Sequence, residues 1–167
     1  MSLSVETLNG VVKADGDAGW APSPRWNMTV STDDLDPGQH WPQLPGNIDL
    51  ALTSEGEITD TGPLGSVDIS ALSGVLKNKP LKGTGQIRVR DNQIQVEDFN
   101  LQSLGTTLTA SGQIDENWDL DFEIDAPALN EWGKALGGQF EAKGELRGSR
   151  DLPVANLQFA GKNIHSG

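Results

Sequence analysis

Between Thr106 and Ile124 apolar and polar residues alternate on both sides of a short turn. Leu108, Ala110, Gly112 and Ile114 share one parity, and Trp118, Leu120, Phe122 and Ile124 share one in the next run. A period of two marks a strand with one buried and one wet face. With Asp115-Glu116-Asn117 as the hairpin loop, Ile114 faces Trp118, Gly112 faces Leu120, Ala110 faces Phe122 and Leu108 faces Ile124. Small residues oppose large ones, so the apolar side can curve. The other face pairs Gln113 with Asp119, Ser111 with Asp121 and Thr109 with Glu123. Such groups lose heavily if buried without partners, so this face meets water. A sheet that is apolar on one side only needs a cover for that side, and the identity of the cover is the functional question.

The same alternation, more weakly, predicts a strand over Leu8 to Ala14, a loop from Asp15 to Pro24 and a short strand carrying Trp26, Met28 and Val30. Asp33 to Gly46, with three prolines, reads as an irregular connection with one helical turn at Asp33-Asp34-Leu35. Ile48, Leu50 and Leu52 mark another strand, Glu55 to Gly65 is turn-rich, and Ser66 to Ile69 is a short extended run. Asp91-Asn92 suits a two-residue turn at positive φ, placing Val89 opposite Ile94 and Ile87 opposite Val96. After Val96 the parity slips. A β-bulge near Glu97-Asp98 returns Phe99 and Leu101 to the apolar side; the alternative is a strand contacted on both faces. Asp125 to Gly137 predicts a helix of about two to three turns, with Asp125 as cap, Pro127 in the first turn, Leu129, Trp132 and Leu136 on one side and Gly137-Gly138 as its stop. Its expected place is as a plug at one end of the apolar interior.

An internal repeat runs through the second half. Val67 to Ser73 aligns with Ile124 to Asn130 at an offset of 57. Each copy then reaches a glycine-led strand, Gly83 to Val89 in one and Gly138 to Gly144 in the other, followed by Ile94 to Leu101 and Ala155 to Gly161. The second copy stops at Gly167 before a counterpart of the Thr106 hairpin, as in a segment of a longer, elongated protein whose repeats stack edge to edge. Residues 1–65 then supply N-terminal strands with Pro- and Gly-rich connections. Residues 66–167 carry the repeats, and the two parts form one continuous unit.

Composition narrows the class. With 35% apolar residues and 5% aromatics, the chain has a thin core for 167 residues, and its 20 glycines fit short strands joined by turns. A net charge of −12 argues against nucleic acid and against simple attachment to anionic membranes. There is no cysteine, hence no disulfide or thiolate chemistry. No apolar run approaches the roughly 20 residues of a helical membrane span, and no signal peptide is visible.

Candidate chemistry is sparse. Asp119, Asp121, Glu123 and Asp125 offer oxygen ligands but lie along one extended run, whereas a calcium site wraps them round a tight loop. A solvated strand face accounts for them. His40 and His165 have no metal-ligand spacing. Asn27-Met28-Thr29 matches a glycosylation sequon, a pattern common by chance. Gly83-Thr84-Gly85 lacks the third glycine and the helix of a nucleotide fingerprint, and no nucleophile elbow or phosphate loop is present. The expectation is therefore no enzyme, no cofactor and no metal. Of the five tryptophans, Trp20, Trp26 and Trp41 fall in the first quarter, where they can close an end of the structure or form a binding patch for sugar or peptide.

The succession VDISALSG, PLKGTGQI, FNLQSLGTTLTASGQI, WDLDFEIDAPAL and GGQFEAKGELRGSRDLPVANLQFAGKNI resembles the repetitive β-rich region of the TamB family, related to AsmA-like proteins. The likeness covers about Ser66 to Ile164. It implies an all-β fold: an elongated, curved, antiparallel-rich sheet folded into an open β-taco or trough with an apolar interior. It also implies a place in the Gram-negative periplasm, in a protein anchored in the inner membrane by a segment outside this sequence. A TamA-like outer-membrane partner, a part in outer-membrane protein assembly and autotransporter secretion, and passage of phospholipid along the groove follow from the same likeness. The cargo so implied is phospholipid acyl chains or hydrophobic strands of unfolded outer-membrane protein.

The family carries no catalytic residues over, and parity alone nominates the groove: Ile87, Val89, Ile94, Val96, Leu108, Ala110, Ile114, Leu120, Phe122, Ile124, Phe140, Ala142, Leu157 and Phe159. On parity alone these would form the dry core of a closed β-sandwich, as in a carbohydrate-binding or adhesin-like module; the resemblance favours the open trough. A passive spacer is the third reading.

Overall fold

Two-residue hairpin turns match the twist of their strands when both central residues take positive φ, which favours Asn and Gly at the second position. Leu8-Asn9, Lys77-Asn78, Asp91-Asn92 and Leu104-Gly105 all do so, with φ between 48° and 68°. In the computed structural model, which describes residues 1–166, these turns and six other connections link eleven strands. They are β1 (Ser2–Thr7), β2 (Gly10–Gly19), β3 (Arg25–Leu35), β4 (Gly46–Thr59), β5 (Gly62–Leu76), β6 (Lys79–Arg90), β7 (Gln93–Ser103), β8 (Thr106–Ile114), β9 (Asn117–Ala126), β10 (Leu136–Ser149) and β11 (Leu152–Ser166). Each strand runs antiparallel to the one before it, and spatial order equals chain order. The result is one curled, unclosed sheet.

The hairpin of β8 and β9 has the expected register at every pair from Leu108–Ile124 to Ile114–Trp118. Val89 faces Ile94 and Ile87 faces Val96 across the Asp91-Asn92 turn. The β7 bulge is present as well. Val96 pairs with Gly112 and Phe99 with Ala110, while Asp98 takes φ 48°. A second bulge on β5 sets Ser70 and Ala71 against the single residue Thr84, so Ile69 and Leu72 keep the same face. Both lie mid-strand and flank β6. Since a bulge bends its strand and sharpens its twist, the pair creases the sheet there.

Several expected boundaries were too short. Leu8 lies in a turn rather than a strand, and the expected Asp15–Pro24 loop is β-structure as far as Gly19. Ala14, Gly16 and Ala18 alternate with charged or polar residues there, but side chains this small carry little apolar signal. The turn-rich reading of Glu55 to Gly65 shrinks to Asp60-Thr61. The helical turn expected at Asp33–Leu35 is instead a 3-10 turn at Pro37–Gln39, because Asp34 is held in β3 by donating its N–H to the Asp49 carboxylate. The Asp36 carboxylate caps that turn. It sits below the usual carboxylate range, chiefly through the Gln39 side chain and then through the Gly46 and Gly38 N–H groups.

The two-to-three-turn helix over Asp125–Gly137 does not form. Asp125 and Ala126 are drawn into β9 by pairing with Glu141 and Phe140, which leaves a single 3-10 turn at Leu129–Glu131. The closed sandwich also fails. Every substantial contact is between neighbouring strands or between a strand and an adjoining 3-10 turn, with no second layer among the described residues.

Candidate functional site

Residues paired across antiparallel strands project to the same face, so the register defines rows running perpendicular to the strands. One row reads Trp26, Gly56, Gly65, Val89, Ile94, Ile114, Trp118, Gly148, Pro153. The next reads Met28, Ser54, Val67, Ile87, Val96, Gly112, Leu120, Leu146, Ala155. Beyond the crease a row carries Val30, Leu52, Ile69, Gly85, Phe99, Ala110, Phe122, Gly144 and Leu157. A fourth carries Thr32, Leu50, Leu72, Gly83, Leu101, Leu108, Ile124, Ala142 and Phe159. Phe140, opposite Ala126, belongs to a fifth.

All fourteen residues nominated from the sequence therefore share one face. Parity reasoning left out Trp26, Val30, Leu50, Leu52, Val67, Ile69, Leu72, Leu81, Phe99, Leu101 and Leu146, which extend the same face from β3 to β10. The alternation of Trp26 with Val30 and of Leu50 with Leu52, and the return of Phe99 and Leu101 after the β7 bulge, were legible in the sequence, whereas the shared face of Ile69 and Leu72 appears only with the β5 bulge.

Large side chains lie over glycines. The Phe122 ring occupies the space a side chain at Gly144 would take, and the Trp26 ring does the same at Gly56. The Trp26 indole N–H donates to Ser54 Oγ at 3.0 Å, and that of Trp118 to the Arg150 carbonyl at 3.3 Å. Little of this surface is sealed. Among the described residues only Leu81, Leu104, Ala126 and Ala142 are buried hydrophobics, whereas Phe159 is 76% exposed and Leu157 57%.

The opposite face is charged and wet. Arg147 reaches across to Asp121 at 2.5 Å and Asp119 at 3.2 Å and donates to the Leu120 carbonyl at 2.7 Å. The hydrogen bond to Asp121 is the main reason its guanidinium holds its proton more tightly than usual. A depression of about 840 Å³ lies on this polar side, between the rows containing Glu123 and Lys143 and those containing Asp121 and Glu145. Its floor is backbone and its walls are solvated side chains, so it is a furrow in a hydrated surface and not the apolar face seen from another angle. No cluster of acidic or histidine side chains suited to a metal occurs among the described residues. Trp20, Trp41 and Trp132 sit in three separate connections and form no flat aromatic patch.

The chain is thus a single curled, unclosed sheet with one largely apolar face and one charged face. The family model described as "TamB, N-terminal domain" matches residues 1–165, and the chain belongs to that family. It is 24% identical over 164 residues to the "Translocation and assembly module subunit TamB" of Haemophilus influenzae (strain ATCC 51907 / DSM 11121 / KW20 / Rd). That match covers 98% of this chain and 13% of the relative's length. No solved structure matches the chain. No helix among the described residues is long and apolar enough to cross a membrane.

Proposed function

We propose that the apolar face is a trough that binds phospholipid acyl chains and lets them move along its rows, within a periplasmic protein of the TamB type. The observation that carries this reading is the set of largely apolar rows with no second layer over them among the described residues. An exposed apolar surface of this extent needs an occupant, and flexible hydrocarbon fits rows whose few polar side chains, Ser54 and Thr32, are already hydrogen-bonded within the sheet. Inner-membrane anchoring and a TamA-like outer-membrane partner belong to the longer protein, in keeping with the relative's name as a subunit of a translocation and assembly module. No catalytic role is part of this reading. A second cargo, hydrophobic strands of unfolded outer-membrane proteins, is favoured by one observation: β11 is exposed throughout and pairs on one side only, as strand addition requires.

The test uses L120D and F122R. An open trough hydrates a charge that a dry core cannot, so both variants keep the cooperative urea transition of the parent chain while losing phospholipid adducts in native mass spectrometry. Unfolding of both variants, or a parent chain that takes up no phospholipid, overturns the reading.

A further inference from the structure

Residues 127–135 join β9 to β10, a task that two residues accomplish in seven other hairpins of this sheet. The extra length runs back along the rim to the β5–β6 turn, 55 positions away in sequence at its anchor. Lys77 Nζ donates to the Trp132 carbonyl at 2.9 Å, Lys79 pairs with Glu131 at 2.6 Å, and the Trp132 indole N–H donates to Thr106 Oγ1 at 2.7 Å. The first two contacts tie the β5–β6 hairpin to the β9–β10 connection across β7 and β8, and the third fastens that connection to the start of β8.

Burial concentrates at the same place. Leu104 is 1% exposed, Ala126 3% and Leu81 6%, while most of the apolar face stays half-open. Ser103, the register partner of Leu81, has a buried hydroxyl with no hydrogen-bond partner. An unsatisfied buried hydroxyl disfavours the sealed arrangement, and exposed polar ties such as Lys79–Glu131 are individually weak. Gly133, after the 3-10 turn, gives the segment one conformationally free point, while Pro127 holds its other end stiff.

We infer that residues 127–135 are a clasp, which closes one rim of the trough between β6 and β9 and opens to admit an apolar chain. On opening, Leu81, Leu104 and the Ser103 hydroxyl join the lining. This inference rests on the reading of the apolar face as a lipid trough.

Since the chain has no cysteine, K79C/E131C introduces the only thiols, and a bis-maleimide with a cleavable disulfide linker locks the clasp on the folded protein. Oleic acid is the probe, followed by native mass spectrometry. Loading of the locked form falls roughly tenfold below that of the unlocked double variant, as expected when the competent state is withheld, and returns on cleaving the linker. Equal loading of locked and cleaved forms overturns the clasp and leaves the trough standing. Failure of every form to load, the parent chain included, overturns both.

Discussion

Glycines on the apolar face do two different jobs. At Gly144 the space is taken by the end of the Phe122 side chain, which can swing away because the face is open. Gly112 takes φ +134°, and a side chain there would meet the backbone of Asp119 and Leu120, which cannot move without breaking the ladder. The two substitutions to alanine therefore differ. G144A loses a cross-strand contact worth about 0.2–1 kcal/mol and regains roughly 0.5–1 kcal/mol of strand preference, so its urea midpoint barely moves. G112A costs about 1–3 kcal/mol of backbone strain, seen as a clear fall in that midpoint. Equal effects would mean that the Phe122 ring is fixed in place, as it would be under a second layer.

At the scale of the element, bulges decide which side chains line the face. Deleting Asp98 only straightens β7, since Val96, Phe99 and Leu101 then alternate plainly on the apolar face. Inserting one residue after Asp98 instead turns Phe99 and Leu101 toward water, because a one-residue slip reverses every side chain beyond it. The expected loss is roughly 2–4 kcal/mol for two half-buried apolar groups, measured by urea unfolding; an unchanged midpoint would mean that β7 tolerates either register. This bulge was legible in the sequence because Val96 and Phe99 break parity with large residues on both sides. The β5 bulge was not legible, since the extended run was ended at Ile69 and Leu72 was read only as part of the repeat from Val67 to Ser73. The Asp125 helix was the clearest misreading. Its cap, proline and glycine stop are all present, but local propensity loses to ten ladder pairs between β9 and β10. The nominated face depended on parity alone and so survived the errors in boundaries. The clasp contacts join residues far apart in the chain and left no periodic trace.

Seen whole, the sheet has no layer to make it cooperative across its width, so its stability is a sum of neighbour terms, as in a repeat array. Protection from amide exchange should peak in β5, β6 and β7 and fall toward β1 and β11, each of which has one partner only. Hydrogen exchange read by mass spectrometry checks this, and a flat profile would show an all-or-none unit instead. The order β1 to β11 has a further effect on how the molecule comes into being. No strand must wait for a mate synthesised much later, so contact order is low and loop closure is inexpensive at every step. A chain delivered end first through a narrow pore can zip up vectorially, each new hairpin templated on the last, without holding its oily residues bare until the whole length has emerged.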